Sequence, residues 1–127
     1  MASAVVVDDN FIMRRKVKGV LKKLGLQIVG EAKNGIQALE KCEKTDPDLV
    51  TLDIHMPEMD GIQCLKKLRD KFPDLSVVMI TSLSQKEKVL KAIKSGADHY
   101  IVKPIEEENV RDVLVETLGE EAIDESA

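Results

Sequence analysis

Aromatic residues are nearly missing from this chain. There is no tryptophan, one tyrosine (Tyr100) and two phenylalanines, Phe11 and Phe72. Single-stranded nucleic acids are gripped by stacking their bases on aromatic side chains, so that kind of platform is excluded. The charge balance argues the same way. The formal net charge is −4, with 19 Lys and Arg against 23 Asp and Glu, where nucleic-acid binding calls for a basic footprint. Cysteine is scarce too. Cys42 and Cys64 fall on the apolar stripes of predicted helices, and neither has a His or Cys partner at ligand spacing. They read as small buried hydrophobes in a reducing compartment, not as a disulfide or a metal site. No run approaches the roughly 20 apolar residues that span a bilayer. The apolar run at the N-terminus is cut by Asp8-Asp9 and follows no basic segment, unlike a secretory signal. The expectation is a cytoplasmic protein with neither membrane nor nucleic acid as a direct partner.

What the chain does have is strand-like runs that end in reactive polar groups. Ala4-Val5-Val6-Val7 leads into Asp8-Asp9, and Leu49-Val50-Thr51-Leu52 leads into Asp53. Val77-Val78-Met79-Ile80 leads into Thr81-Ser82, and Tyr100-Ile101-Val102 into Lys103-Pro104. Short apolar runs are how strands of a covered parallel sheet read. Between them lie helical periodicities. Met13, Val17, Val20, Leu21 and Leu24 form one face, ended by Gly25. A strand is predicted over 27–32, then a helix from about Asn34 with Ala38, Leu39 and Cys42 inward. Pro47 blocks its continuation. A helix opening at Gly61 turns Ile62, Leu65, Leu68 and Phe72 inward and ends at Pro73. The next is predicted to bury Val89, Leu90 and Ile93 before Gly96. The last runs from about Glu106 to Leu118, facing the core with Val110, Val113, Leu114 and Leu118. The acidic segment 120–127 reads as a frayed tail. The 127 residues thus divide into one α/β domain over 1–119 and a tail over 120–127, with helices on both faces of a parallel sheet.

Ligands bind outside the carboxyl ends of the strands in open α/β sheets, so Asp8, Asp9, Asp53, Thr81 and Lys103 are expected at one rim. Carboxylates that close raise one another's pKa or demand a cation. An open, oxygen-rich site suits Mg²⁺, with Mn²⁺ also compatible. The competing reading makes Asp8 and Asp9 caps of the first helix. Lys103 can pair with Asp53 as a point charge, in a simple salt bridge or toward a phosphoryl group. Thr81 can donate its hydroxyl to a phosphoryl oxygen or serve as a strand-end cap.

Val7-Asp8-Asp9, the segment Asp53-Ile54-His55-Met56-Pro57-Glu58-Met59-Asp60-Gly61, Thr81-Ser82, Gly96-Ala97 and Tyr100-Ile101-Val102-Lys103-Pro104 together resemble a response-regulator receiver domain. The resemblance covers about residues 4 to 118. The stretch Phe11 to Gly25, with Met13-Arg14-Arg15, is most similar to stand-alone chemotaxis-type receivers. It implies a flavodoxin-like (βα)5 three-layer sandwich with five parallel strands in the order 2-1-3-4-5. It implies that Asp53 is the phosphoacceptor, with Asp8, Asp9, Asp53 and the backbone carbonyl of His55 around Mg²⁺. Thr81 and Lys103 would contact the phosphoryl oxygens, the Lys103-Pro104 peptide would be cis, and Thr81 and Tyr100 would form the switch. The implied function is a single-domain response regulator of a phosphorelay. It is a switch that assists its own phosphorylation and dephosphorylation, and not an enzyme acting on a separate substrate. The implied partners are a histidine kinase or histidine phosphotransfer protein and an output protein on the face of the fourth helix, fifth strand and fifth helix. The chain is expected to be monomeric, with dimerisation on phosphorylation left open.

Three alternatives stand beside this reading. The receiver part of a longer DNA-binding or enzymatic regulator would carry the same motifs. An aspartyl-nucleophile phosphohydrolase would need a substrate pocket and a cap insertion, for which the length leaves no room. A degenerate, binding-only receiver would not keep Asp8, Asp9, Asp53, Thr81 and Lys103 together. Two features are this chain's own. His55 and Leu83 stand two residues beyond Asp53 and Thr81, flanking the path of an attacking water. Leu83 cannot orient water, so slow self-dephosphorylation is expected. The first helix is basic (Arg14, Arg15, Lys16, Lys18, Lys22, Lys23) and the last acidic (Glu106, Glu107, Glu108, Asp112, Glu116). These are either solvated faces or a means of steering a kinase, and the triple Glu also favours a helix N-terminus.

Overall fold

The computed structural model describes residues 1–125. Five strands alternate with five helices: β1 Ser3–Val7, α1 Phe11–Lys23, β2 Gln27–Ala32, α2 Gly35–Thr45, β3 Leu49–Asp53, α3 Gly61–Lys71, β4 Ser76–Thr81, α4 Lys86–Lys94, β5 His99–Val102 and α5 Glu107–Leu118. All pairings are parallel, in the order β2-β1-β3-β4-β5. Every residue of the central strand β3 is buried, which is why, Thr51 apart, it reads as an apolar run up to Asp53.

Side chains alternate across the sheet and build two cores. Val5, Val7, Val50, Leu52, Val77 and Met79 face α2, α3 and α4, against Ala38, Cys42, Leu65, Leu68 and Ala92. Ala4, Val6, Leu49, Val78, Ile80 and Ile101 face α1 and α5, against Val17, Leu21, Val110, Val113 and Leu114. Cys42 and Cys64 are buried free thiols, as their helical positions predict.

Local chemistry sets where the helices begin. Asn10, Asn34 and Asp60 each accept the backbone N–H three residues on, capping α1, α2 and α3. Asp60 and Gln63 complete a reciprocal capping box. The cap of α1 is therefore Asn10, so the reading of Asp8 and Asp9 as caps does not hold.

Two expectations are corrected. Leu90 and Ile93 do not face the core; they are 60% and 41% exposed, and α4 buries Val89, as expected, together with Ala92. The four apolar residues of α4 cover too wide an arc for a nine-residue helix seated on one sheet edge, so the sheet takes the smaller side chains. The segment after α5 does not fray. Glu120–Ala122 forms a 3₁₀ turn, and Ile123 packs against the α1–α5 core. The Asp124 N–H donates to the Leu24 carbonyl at 2.8 Å, and Arg111 pairs with Glu125. Gly25, at φ +90°, makes room for this return: a Cβ there would lie 2.6 Å from the Asp124 carbonyl oxygen. The remainder of the predicted tail, residues 126 and 127, lies outside the described residues.

At the end of the sheet opposite the polar rim, Arg69 gathers backbone carbonyls. It donates to Gly96 O at 2.7 and 3.1 Å, Pro73 O at 3.0 Å and Leu75 O at 2.5 Å. It also pairs with Asp98 at 2.9 Å, and Asp98 in turn accepts the Val77 N–H at 2.8 Å. One guanidinium thus ties the end of α3 to the α4–β5 turn. Arg69→Ala is expected to cost about 2–3 kcal/mol, since it strips several carbonyls and leaves Asp98 unpaired; urea unfolding measures it.

Candidate functional site

The rim follows from the register. With β1, β3, β4 and β5 parallel and in step, the residues at or just past their ends meet at one edge. Lys103 N–H donates to Thr81 O at 2.7 Å, and Asp8 N–H to Ala32 O at 3.1 Å. One carboxylate oxygen from each of Asp8, Asp9 and Asp53 lies within 4.8 Å of the others. Asp8 and Asp53 are only 2% and 4% exposed, whereas Asp9 is exposed. Lys103 Nζ stands 3.6 Å from Asp53 Oδ1, so the expected pairing is present, at the long end of an ion pair. The Lys103–Pro104 peptide is cis.

Gly61 sets the far wall. A Cβ there would lie 2.3 Å from the Asp53 carbonyl oxygen and 2.7 Å from Ile54 Cα. The Gly61 N–H donates to Ile54 O at 2.8 Å. Only glycine lets the start of α3 seat against the end of β3, which explains its place at the close of the Asp53–Gly61 motif. His55, two residues past Asp53, is exposed.

Burial and like charge act on the carboxylates together. Desolvation pushes Asp8 up to about 6, opposed by the Asn10 N–H and reinforced by Asp53. Asp53 is also raised, chiefly by burial, with Lys103 and the His55 backbone N–H pulling it down. Asp8 Oδ1 accepts the Asn10 N–H at 2.9 Å, but Asp8 Oδ2 is buried without a partner. An unsatisfied anionic oxygen beside two further carboxylates is a donor set made for a hard divalent cation. The residues present fit such an ion.

Thr81 is 1% exposed. Its hydroxyl reaches Ser82 O and Gln85 Oε1, both at 3.2 Å, and makes no hydrogen bond to Asp53. Tyr100 is 41% exposed and lines a groove of about 270 Å³ with Thr81, Leu83, Leu90, Ile93 and Val102. Gln85 was not singled out by sequence, and Arg14 was read only as part of the basic stripe on the first helix. Arg14 donates to the Asp8 carbonyl at 2.8 Å and pairs with Glu31, as does Lys18. Two of the six basic residues on α1 thus share one internal partner, Glu31, while Arg15, Lys16 and Lys22 make no ion pair among the described residues. Nothing in the pattern marks Gln85, whose role depends on a 3₁₀ turn, Leu83–Gln85, folding it back toward Thr81.

Residues 4–115 match the response regulator receiver domain. The chain belongs to the response regulator receiver family. It is 42% identical over 115 residues to the chemotaxis protein CheY of Bacillus subtilis, covering 91% of this chain and 96% of that one. Among solved structures, chemotaxis protein CheY4 of Vibrio cholerae superposes with a TM-score of 0.85 at 29% identity, covering 93% of this chain and 99% of that one. CheY of Borrelia burgdorferi, solved with CheX, BeF3 and Mg²⁺, gives 0.85 at 30% identity, covering 90% of this receiver and 87% of that chain. The receiver is a phosphoacceptor switch of CheY-like type.

Because Asp8 titrates near 6 in the fold against 3.8 for an ordinary Asp, the metal-free fold binds the extra proton. Its contribution to stability is therefore full below about pH 4 and lost as pH rises through about 6. Asp8→Asn keeps an acceptor for the Asn10 N–H and removes one charge. It is expected to stabilise the metal-free protein at pH 7 by roughly 1–2 kcal/mol and to flatten the pH dependence between about 4 and 6. Urea midpoints in EDTA across that range check both.

Proposed function

We propose that Asp53 accepts a phosphoryl group from a histidine kinase or a histidine phosphotransfer protein, and that this switches binding of an output protein. The observation that carries the reading is the convergence of Asp53, two further carboxylates, Lys103 and Thr81 at the ends of four adjacent strands. An Asp53 carboxylate oxygen forms a bond to phosphorus while the donor's N–P bond breaks, and the electron pair leaves with the imidazole. The carboxylate is a weak nucleophile, so the work lies in positioning and in bearing charge on the transferring oxygens. Asp8, Asp9, Asp53 and the His55 carbonyl would hold Mg²⁺, or Mn²⁺ in its place. The ion supplies charge neutralisation on the phosphoryl oxygens. Lys103, already beside Asp53, bears the rest.

The acyl phosphate adds acceptor oxygens at the rim. The Thr81 hydroxyl then turns to them. Thr81 and Tyr100 line the same groove, so moving one side chain opens space for the other, a local change that biases a two-state element. Leu83, Leu90, Ile93 and Tyr100 form an exposed apolar patch around that groove. It lies on the face expected to bind the output protein, consistent with relatives that serve chemotaxis. No described helix is long and apolar enough to cross a membrane.

Incubation with acetyl phosphate and Mg²⁺ is expected to add one phosphoryl group by intact-mass spectrometry. The gain should vanish with EDTA and in Asp53→Asn; a gain that persists in Asp53→Asn would overturn the assignment. Leu83 is 82% exposed, free to carry a water-orienting group. Leu83→Glu is expected to speed loss of the phosphoryl group severalfold, followed by the decay of the phosphorylated mass. An unchanged rate removes Leu83 from the account.

A further inference from the structure

The Thr81 hydroxyl carries a single proton. In the resting fold that proton is directed to the turn that follows β4: Gln85 Oε1 and Ser82 O both lie 3.2 Å from Thr81 Oγ1. Gln85 is well placed to hold it. It closes the Leu83–Gln85 turn with its own N–H on Ser82 O at 3.1 Å, and its half-buried side chain reaches back to a hydroxyl that water does not reach. Thr81 cannot donate to a phosphoryl oxygen and to Gln85 at once.

We propose that Gln85 is a positioning residue that latches the Thr81 hydroxyl in the resting state, and so sets how readily the receiver occupies its phosphoryl-loaded state. This rests on the reading of Thr81 as the group that turns to the phosphoryl oxygens. The Thr81–Gln85 bond is lost whenever that turn occurs, so its free energy opposes switching. Gln85 also immediately precedes α4, and the turn it closes supplies Ser82 and Leu83 to the groove beside Tyr100. Release of the hydroxyl therefore frees the turn that borders the output face. One hydrogen bond links the phosphoryl site to that surface without passing through the sheet.

The test uses beryllofluoride with Mg²⁺ as the phosphoryl probe and counts bound fluoride by ¹⁹F NMR. Gln85→Met removes the acceptor at similar volume. Ser82 O remains to accept from Thr81, so no buried hydroxyl is orphaned and the fold is kept, as thermal unfolding will verify. Gln85→Met is expected to tighten apparent beryllofluoride affinity about two- to threefold, the low end of a neutral hydrogen bond's net strength, because Ser82 O still accepts from Thr81 in the resting state. Thr81→Val is expected to weaken it, and Gln85→Met added to Thr81→Val to change nothing further, because the latch acts only through that hydroxyl. Unchanged or weaker affinity in Gln85→Met, with Thr81→Val still impaired, overturns the latch alone. Equal tightening in the presence and absence of the Thr81 hydroxyl also overturns it. No loss in Thr81→Val overturns the reading of Thr81 beneath it.

Discussion

Three carboxylates held against one another at the end of a buried sheet are the constraint on which the rest of this structure depends. They are there because parallel strands in register deliver their terminal residues to one edge. Two of the three are shielded from water, which raises Asp8 and Asp53 together. That arrangement opposes folding of the metal-free chain, and the two cores on either side of the sheet must offset it. The unpartnered Asp8 Oδ2 is the sharpest sign that the site is built for an ion and not for stability. Lys103 relieves Asp53 only in part at 3.6 Å, which leaves the carboxylate oriented without a tight bond to break.

Much of this was legible in the sequence because it is written in strand ends. Apolar runs closed by Asp8-Asp9, Asp53, Thr81 and Lys103 locate the rim with no knowledge of side-chain packing, and β3 shows no polar alternation beyond Thr51 because both its faces are covered. Gly61 could be placed at the head of α3 by pattern. Its physical necessity, the closeness of the Asp53 carbonyl, needed the fold. The glutamine at 85 was invisible, since its partner is found by the shape of a three-residue turn and not by any periodicity.

The errors are equally physical. Leu90 and Ile93 have helical spacing and look like core, yet a short helix on the sheet's flank turns its larger apolar residues outward. Periodicity reports an apolar face; it does not say whether the sheet or a partner covers it. The acidic residues after Leu118 read as solvated because of their charge. Ile123 and two polar contacts nevertheless anchor them, and charge alone does not foretell an isolated apolar residue finding a core.

The return of the chain onto Gly25 has a geometric consequence. α1 begins beside the polar rim and runs back along the sheet, so its last turn lies at the far pole of the domain. Through Asp124 on Leu24 O, that pole is where the described chain takes its leave. A fluorescent reporter or affinity handle spliced after Glu125 would be delivered on the side away from the carboxylate rim. One placed ahead of Ser3, at the start of β1, would emerge from that same pole, leaving the rim uncovered.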